Sequence, residues 1–388
     1  MDKTRIALVY ILIACLSLIL SSLPDSPRYI NDGFDMGVYQ TVGTWFTEGK
    51  QPYKDVFSPY PQLATYMFAL PYAVTGYAED PGIYRYIFSL LMDLCLATMI
   101  ILIYQYRPVT KNLAFLLLLP ASLYFTHNRF DIVPSLFVLI SLLMLFNRNF
   151  YSAFIFLSIS VLFKWYALVL LPVYVSYLLA LKKKNMWQLL AAFFIPVLLV
   201  VLHSISTIGW DNFIIPYKFH LGMGTRQESL LYLLTAIINP VLNTGMVTPV
   251  LKPLFLALQF LVSFMVIFAR PDTETKVIYW SIASIACFML FAKYYSPQWI
   301  LWVFPLLLLI ARDKFFILMI ILFDIFTYIY FPVVFGFRKS EHLALLLIFH
   351  LLIVIKTGFL IYFLCHAISG IQNDIKLPSF RNKLTRSA

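Results

Sequence analysis

The chain has 388 residues, 61% of them hydrophobic and only 12% charged, and its mean hydropathy is +0.84. A soluble domain carries roughly 25% charged residues, so a water-soluble fold is excluded. The formal charge of +11 does not point to a nucleic acid, because the basic residues are spread among the connections between apolar runs and form no single patch.

The runs lack the alternation of barrel strands, and a backbone in lipid must satisfy its own hydrogen bonds, so they are helices. Twelve membrane segments are predicted, over 6–23, 82–104, 112–126, 131–147, 150–163, 165–181, 186–204, 250–269, 277–293, 297–311, 315–331 and 343–364. The first run follows Lys3 and Arg5 as a signal peptide would, but it is long and lacks a small-residue cleavage site, which predicts a retained helix. Cys15, Cys95, Cys287 and Cys365 all fall inside apolar segments and give neither a disulfide framework nor a metal site.

With twelve crossings both ends share a side. Short segments on that side carry 16 Lys and Arg against five acids, which places both termini in the cytoplasm. The opposite side then holds two long connections, 24–81 and 205–249, where functional residues are expected to gather. In the first, Phe34, Val38, Val42, Trp45 and Phe46 share one face of an amphipathic interfacial helix that stops at Gly49, and Leu63 to Val74 reads as a second juxtamembrane helix. Short segments such as 112–126 and 150–163 suggest a water-filled cavity in the outer half. The basic tail, Lys376 to Arg386 within 365–388, reads as an anchor to anionic lipid. The chain is thus expected to form one all-α integral membrane domain over 1–388, with no separate soluble domain.

The run NDGFDMGVYQTVGTWFTEGKQPYKDVFSPYPQLATYMFALP carries Asp32, Asp35 and Tyr39, then Gly49, Pro52–Tyr53 and Tyr60–Pro61. It resembles the first external loop of the GT-C glycosyltransferases, and among them glycosyltransferase family 87 and the mannosyltransferase that starts GPI-anchor assembly. HNRFDIVPSLFVLISLLML, FKWYALVLLPVYVSYLLALKKK and YSPQWILWVFPLLLL follow in the order of that family's polar tip, its basic–aromatic run and its Ser–x–Gln–aromatic helix start. The resemblance implies a GT-C-like membrane bundle that moves a hexose, mannose in the nearest relatives, from a polyprenyl-phosphate sugar to a glycolipid or lipid-linked glycan on the extracytoplasmic face. It implies the plasma membrane for a prokaryotic chain and the endoplasmic reticulum for a eukaryotic one, and no organic cofactor. Asp35 and Asp32 are implied as catalytic, and Tyr39, Tyr60, Arg129, Lys164, Arg226, Lys293 and Gln298 as substrate-binding. The chain has Pro61–Gln62 where the family often has two prolines. Its two acids are three residues apart where the GPI relative has Asp-x-Asp, which leaves open which Asp is the base and whether a divalent metal is held.

The residues themselves allow plainer accounts. Asp32 can cap the interfacial helix, and Asp35 in its first turn can merely favour the dipole. Lys164, with no acid nearby in sequence, reads as a phosphate ligand or a snorkelling anchor. Arg129 reads as a phosphate ligand or half of a local pair with Asp131 and His127. Lys218, His220, Arg226 and Glu228 suit a solvated loop, and Lys293 beside Tyr294 and Tyr295 suits an interfacial belt. Asp93 and Asp324 lie inside predicted helices, as helix–helix locks or as a polar path. A rival function is a secondary transporter or lipid flippase, in which Asp93, Lys164, Asp324 and Lys356 mark the path. Inverting stereochemistry is expected, since one base and a phosphate leaving group need no covalent intermediate.

The topology is checked by cysteine labelling. A cysteine near Lys183 should react only with membrane-permeant reagents and one near Lys50 should label from outside; reversed labelling would contradict the assignment.

Overall fold

A computed structural model describes residues 2–23, 29–75, 80–106, 110–242, 247–337 and 342–372. Arg107 and the tail from Lys376 to Arg386 lie outside the described residues. Among the described residues the chain is helical and has no strand beyond one isolated bridge, Pro52 to Val56. It divides into two compact units built from interleaved stretches: unit 1 is 1–118, 122–167 and 187–223, and unit 2 is 119–121, 168–186 and 224–388.

Unit 1 begins with α1 (Lys3–Ser21), which packs on α5 (Pro81–Tyr106). Between them lie α2 (Gly33–Gly43), α3 (Gln62–Met67) and α4 (Leu70–Thr75). A 3₁₀ run, Lys111–Leu118, follows, then α6 (Pro120–Asn128), α7 (Ile132–Phe146) and α8 (Phe150–Phe163), the last two packed together. A second 3₁₀ run, Trp165–Leu170, leads into α9 (Leu171–Ala180) of unit 2. Unit 1 closes with α10 (Met186–Ile208), α11 (Trp210–Phe213) and α12 (Ile215–Gly222).

Unit 2 continues through α13 (Leu230–Leu242), α14 (Val247–Ala269), α15 (Glu274–Leu290), a 3₁₀ turn at Pro297–Trp299, α16 (Ile300–Ile310), α17 (Lys314–Tyr328) and α18 (Leu343–Gln372). Its core is α15, flanked by α14, α16 and α18. α15 carries the small residues Ser281, Ala283, Ser284 and Ala286, all fully buried, which let neighbouring helices approach closely. Gly370 of α18 lies against the Tyr279 ring for the same reason.

Among the described residues six helices are, by length and composition, long and apolar enough to cross a membrane: Lys3–Ser21, Gly82–Tyr106, Met186–Ile208, Pro249–Ala269, Lys314–Phe337 and Leu343–Gln372. A seventh crossing results if Pro120–Asn128 and Ile132–Phe146, which meet at 109°, form one broken span. The protein is therefore a helical multi-pass membrane protein. α8, with 14 residues, is only about 21 Å long at 1.5 Å per residue, less than the roughly 30 Å of hydrocarbon.

The first connection differs from its expected form. α2 ends at Gly43, short of Gly49, and its inward face is Met36, Tyr39, Val42 and Gly43, while Phe34 is 71% exposed and Phe46 49%. The reason is Gly43: a Cβ there would lie 2.2 Å from the Phe68 carbonyl oxygen, so this close approach turns α2 and leaves Phe34 outward. The apolar piece 63–74 is likewise two short helices, α3 and α4, where one was expected.

Gly43→Ala should therefore lower thermal stability in detergent by about 1–3 kcal/mol, as overpacking does. Gly37→Ala, with nothing within 4 Å, should be neutral or stabilising. Equal melting of the two variants would contradict the close approach.

Candidate functional site

The polar centre of unit 1 is the break between α6 and α7, where the sequence reads His127-Asn128-Arg129-Phe130-Asp131. A sharp turn between two apolar helices frees backbone groups that need partners, and each side chain of the break makes a separate tie. His127 Nδ1 lies 2.8 Å from Asp93 Oδ2 of α5, with both side chains buried. Asn128 accepts the Asp32 backbone N–H at 2.7 Å and donates to the carbonyls of Ile30 at 2.7 Å and Tyr124 at 3.0 Å. It thereby fixes the start of α2.

Arg129 joins that start to the break. Its Nη2 donates to Asp32 Oδ2 at 2.5 Å, its Nη1 to the Asn128 carbonyl at 3.1 Å, and its Nε lies 2.7 Å from Asp35 Oδ2. The Arg129 side chain is 3% exposed, that of Asp32 7% and that of Asp35 23%. Asp32 is also the N-cap of α2, accepting from the Phe34 N–H at 2.9 Å. One carboxylate thus caps the helix and holds the guanidinium, and the second, one turn on, holds the same guanidinium while staying partly accessible.

Phe130 and Asp131 carry the cluster onward. Asp131 is completely buried, and its carboxylate lies 2.9 Å from Lys164 Nζ at the end of α8. Lys164 also sits over the Phe130 ring, 4.4 Å from its centroid, a cation–π contact. Phe130 meets Tyr60 at 5.2 Å and Tyr39 at 5.8 Å, and Tyr39 stacks on Phe68 at 4.5 Å. Burial first, then each other's phenol or the Asp35 charge, pushes Tyr39 and Tyr60 above the usual phenol range, so both stay protonated donors. With Asp32, Asp35 and Asp131 against Arg129 and Lys164, the cluster carries one formal negative charge.

Six predicted site residues therefore come together in unit 1: Asp32, Asp35, Tyr39, Tyr60, Arg129 and Lys164. Two expectations are corrected. Lys164 does have an acidic partner, Asp131, reached through the fold from 33 residues away; and Arg129 pairs with the α2 acids, where a local pair with Asp131 and His127 was one expectation. Tyr39 is fully buried and builds the wall, whereas Tyr60 is half-buried. Asp93 locks to His127, and Asp324, in unit 2, accepts the Ala121 N–H at 2.8 Å. Arg226, Lys293 and Gln298 belong to unit 2, where the Arg226 N–H donates to the Lys293 carbonyl at 3.1 Å and Ser296 Oγ donates to Gln298 Oε1 at 2.5 Å.

A cleft of about 590 Å³ opens on another face of α2, lined by Gln40, Thr41, Thr44, Lys50, Asp55 and Tyr72 among others, and none of the predicted site residues lines it. Among the described residues no group of three or more His, Cys, Asp or Glu is placed to hold a metal ion. The sequence signal for Asn128 and His127 was their place in the polar tip, but their partners at 30–32 and 93 are distant in sequence.

Removing the guanidinium would leave two carboxylates facing one another with little water. Arg129→Met should cost about 3–5 kcal/mol, as breaking a buried pair does, while exposed Phe34→Ala should stay within about 0.5 kcal/mol. Thermal melts in one detergent compare them, and an Arg129→Met variant as stable as the parent would contradict the bridging role. The chain matches no protein-family model and no curated protein.

Proposed function

We propose that the protein is a GT-C-type membrane glycosyltransferase, moving a hexose, mannose by the sequence resemblance, from a polyprenyl-phosphate donor to a hydroxyl of a glycolipid or lipid-linked glycan. The twelve crossings, with the shorter apolar helices tilted or thinning the bilayer around them, and the extracytoplasmic placement of 24–81 belong to the same proposal.

The observation that carries the reading is Asp35. It is the most accessible carboxylate of the cluster, its Oδ2 is held by Arg129, and its Oδ1 makes no hydrogen bond among the described residues. A base needs a fixed orientation and one free lone pair within reach of the acceptor hydroxyl. Asp32, capping α2 and more deeply buried, orients the guanidinium that orients Asp35.

In the proposed step the acceptor oxygen bonds to the anomeric carbon as the bond to the phosphate oxygen breaks. The hydroxyl proton passes to Asp35 and the electron pair leaves with polyprenyl phosphate, with inversion. Developing phosphate charge needs a cation. Lys164, 17% exposed, is the more accessible cation of the cluster, and its ammonium at the end of α8 suits a phosphate oxygen beside the Asp131 carboxylate. Tyr60, a protonated donor at the edge of the aromatic wall, suits a sugar or phosphate oxygen.

Asp35→Asn keeps shape and removes basicity, so transfer should fall at least about 100-fold with thermal stability nearly unchanged. Lys164→Ala should raise the KM for donor more than it lowers insertion. An active Asp35→Asn with a dead Asp32→Asn would make Asp32 the base; activity in both variants would contradict the mechanism.

A further inference from the structure

We propose that unit 2 carries a phosphate-binding site centred on Lys356 and the hydroxyl of Tyr295. Lys356 lies inside the apolar helix α18 and is 2% exposed. Its Nζ donates to the Glu228 carbonyl at 2.8 Å and stands 3.5 Å from the Tyr295 ring centroid and 5.6 Å from that of Tyr330. It makes no ion pair among the described residues. An ammonium has three N–H donors, and one carbonyl and two rings compensate only part of a buried charge, a cation–π contact contributing about 0.5–2 kcal/mol. A lysine left so in a membrane-spanning helix marks a ligand or ion path.

Two independent observations point to the ligand. The Tyr295 hydroxyl is buried with no hydrogen-bond partner, a cost of about 1–3 kcal/mol that a bound acceptor oxygen would relieve. The backbone around Lys356 is irregular in three places: the non-helical residues 224–229 before α13, the non-helical residues 291–296 after α15, and Phe331, extended at φ −141°, ψ 122° beyond α17. Irregular backbone beside a buried charge has polar groups that need partners, and it persists where it is packed in protein or lines a polar cavity. The Arg226 N–H bond to the Lys293 carbonyl ties the first two segments together.

The charges of these segments select an anion. Lys356, Arg226 and Lys293 lie on the breaks or beside them, with Glu228 as the opposing acid. Several acceptor oxygens on one anion match the Lys356 ammonium and the Tyr295 hydroxyl, which is the chemistry of a phosphate. The site is defined within unit 2 and goes beyond the transfer reading; only the choice of a lipid probe rests on that reading.

The test is binding to the full chain in nanodiscs of neutral lipid, with inorganic phosphate, a polyprenyl phosphate and the uncharged polyprenol as probes. Measured in a Lys164→Ala background, which removes the unit 1 cation, one saturable phosphate site is expected, weakened at least tenfold in Lys356→Met and several-fold in Tyr295→Phe, and unchanged in Asp35→Asn. Lys356-dependent binding of inorganic phosphate supports a site that accepts the free anion; binding of the lipid phosphate alone supports a lipid headgroup as the source. Binding that is absent, equal in Lys356→Met, or as strong for polyprenol overturns the proposal. Should Lys356→Met fail to fold, Tyr295→Phe decides, since it removes only an unpartnered hydroxyl. Loss of transfer in Asp35→Asn with phosphate binding intact would separate the two sites, and transfer without phosphate binding would overturn this one alone.

Discussion

A guanidinium with almost no access to water must be neutralised where it stands, and Arg129 meets this requirement by drawing the start of α2 onto the break between α6 and α7. Much else in unit 1 follows from that bridge. Asp32 cannot serve both Arg129 and the Phe34 N–H unless α2 begins at Gly33, and Asn128 holds the same residue by its backbone. With α2 so placed, Tyr39 falls into the cluster of Phe68, Phe88 and Phe130, and Asp35 is left on the accessible edge. Breaking one partner of such a buried set costs more than the set contributes, because the others are stranded. That makes it a device for fixing geometry more than a source of stability.

Much of the helical layout was legible in the sequence because apolar runs in lipid have few alternatives. The run 150–163 is α8 to the residue, and 131–147 brackets α7. What the runs could not convey is local helix type: Lys111–Leu118 and Trp165–Leu170 are 3₁₀ although their hydrophobicity resembles that of their neighbours. The rotation of α2 was also hidden, since it depends on a contact between Gly43 and the Phe68 backbone that no periodicity encodes. For the site, residue types were legible and partnerships were not. Asp131 with Lys164, and Arg129 with the α2 acids, join positions separated by 33 to 97 residues, so Lys164 looked unpaired until the fold supplied its acid.

The two polar centres solve the problem of buried charge in opposite ways. In unit 1 two cations are matched by three carboxylates, and the one with accessible surface is the proposed base. In unit 2 a buried lysine faces a carbonyl, two rings and an unpartnered hydroxyl. The first arrangement is suited to holding a carboxylate still; the second is the one proposed to receive an anion.

The central claim is that the Asp35 cluster serves sugar transfer and not passage of an intact lipid. Proteoliposomes loaded with radiolabelled polyprenyl-phosphate mannose and a glycolipid acceptor test it most directly. The account predicts label recovered covalently on the acceptor, dependent on the protein, with the α-anomer formed from a β-linked donor; movement of intact donor across the bilayer without any labelled acceptor would contradict it.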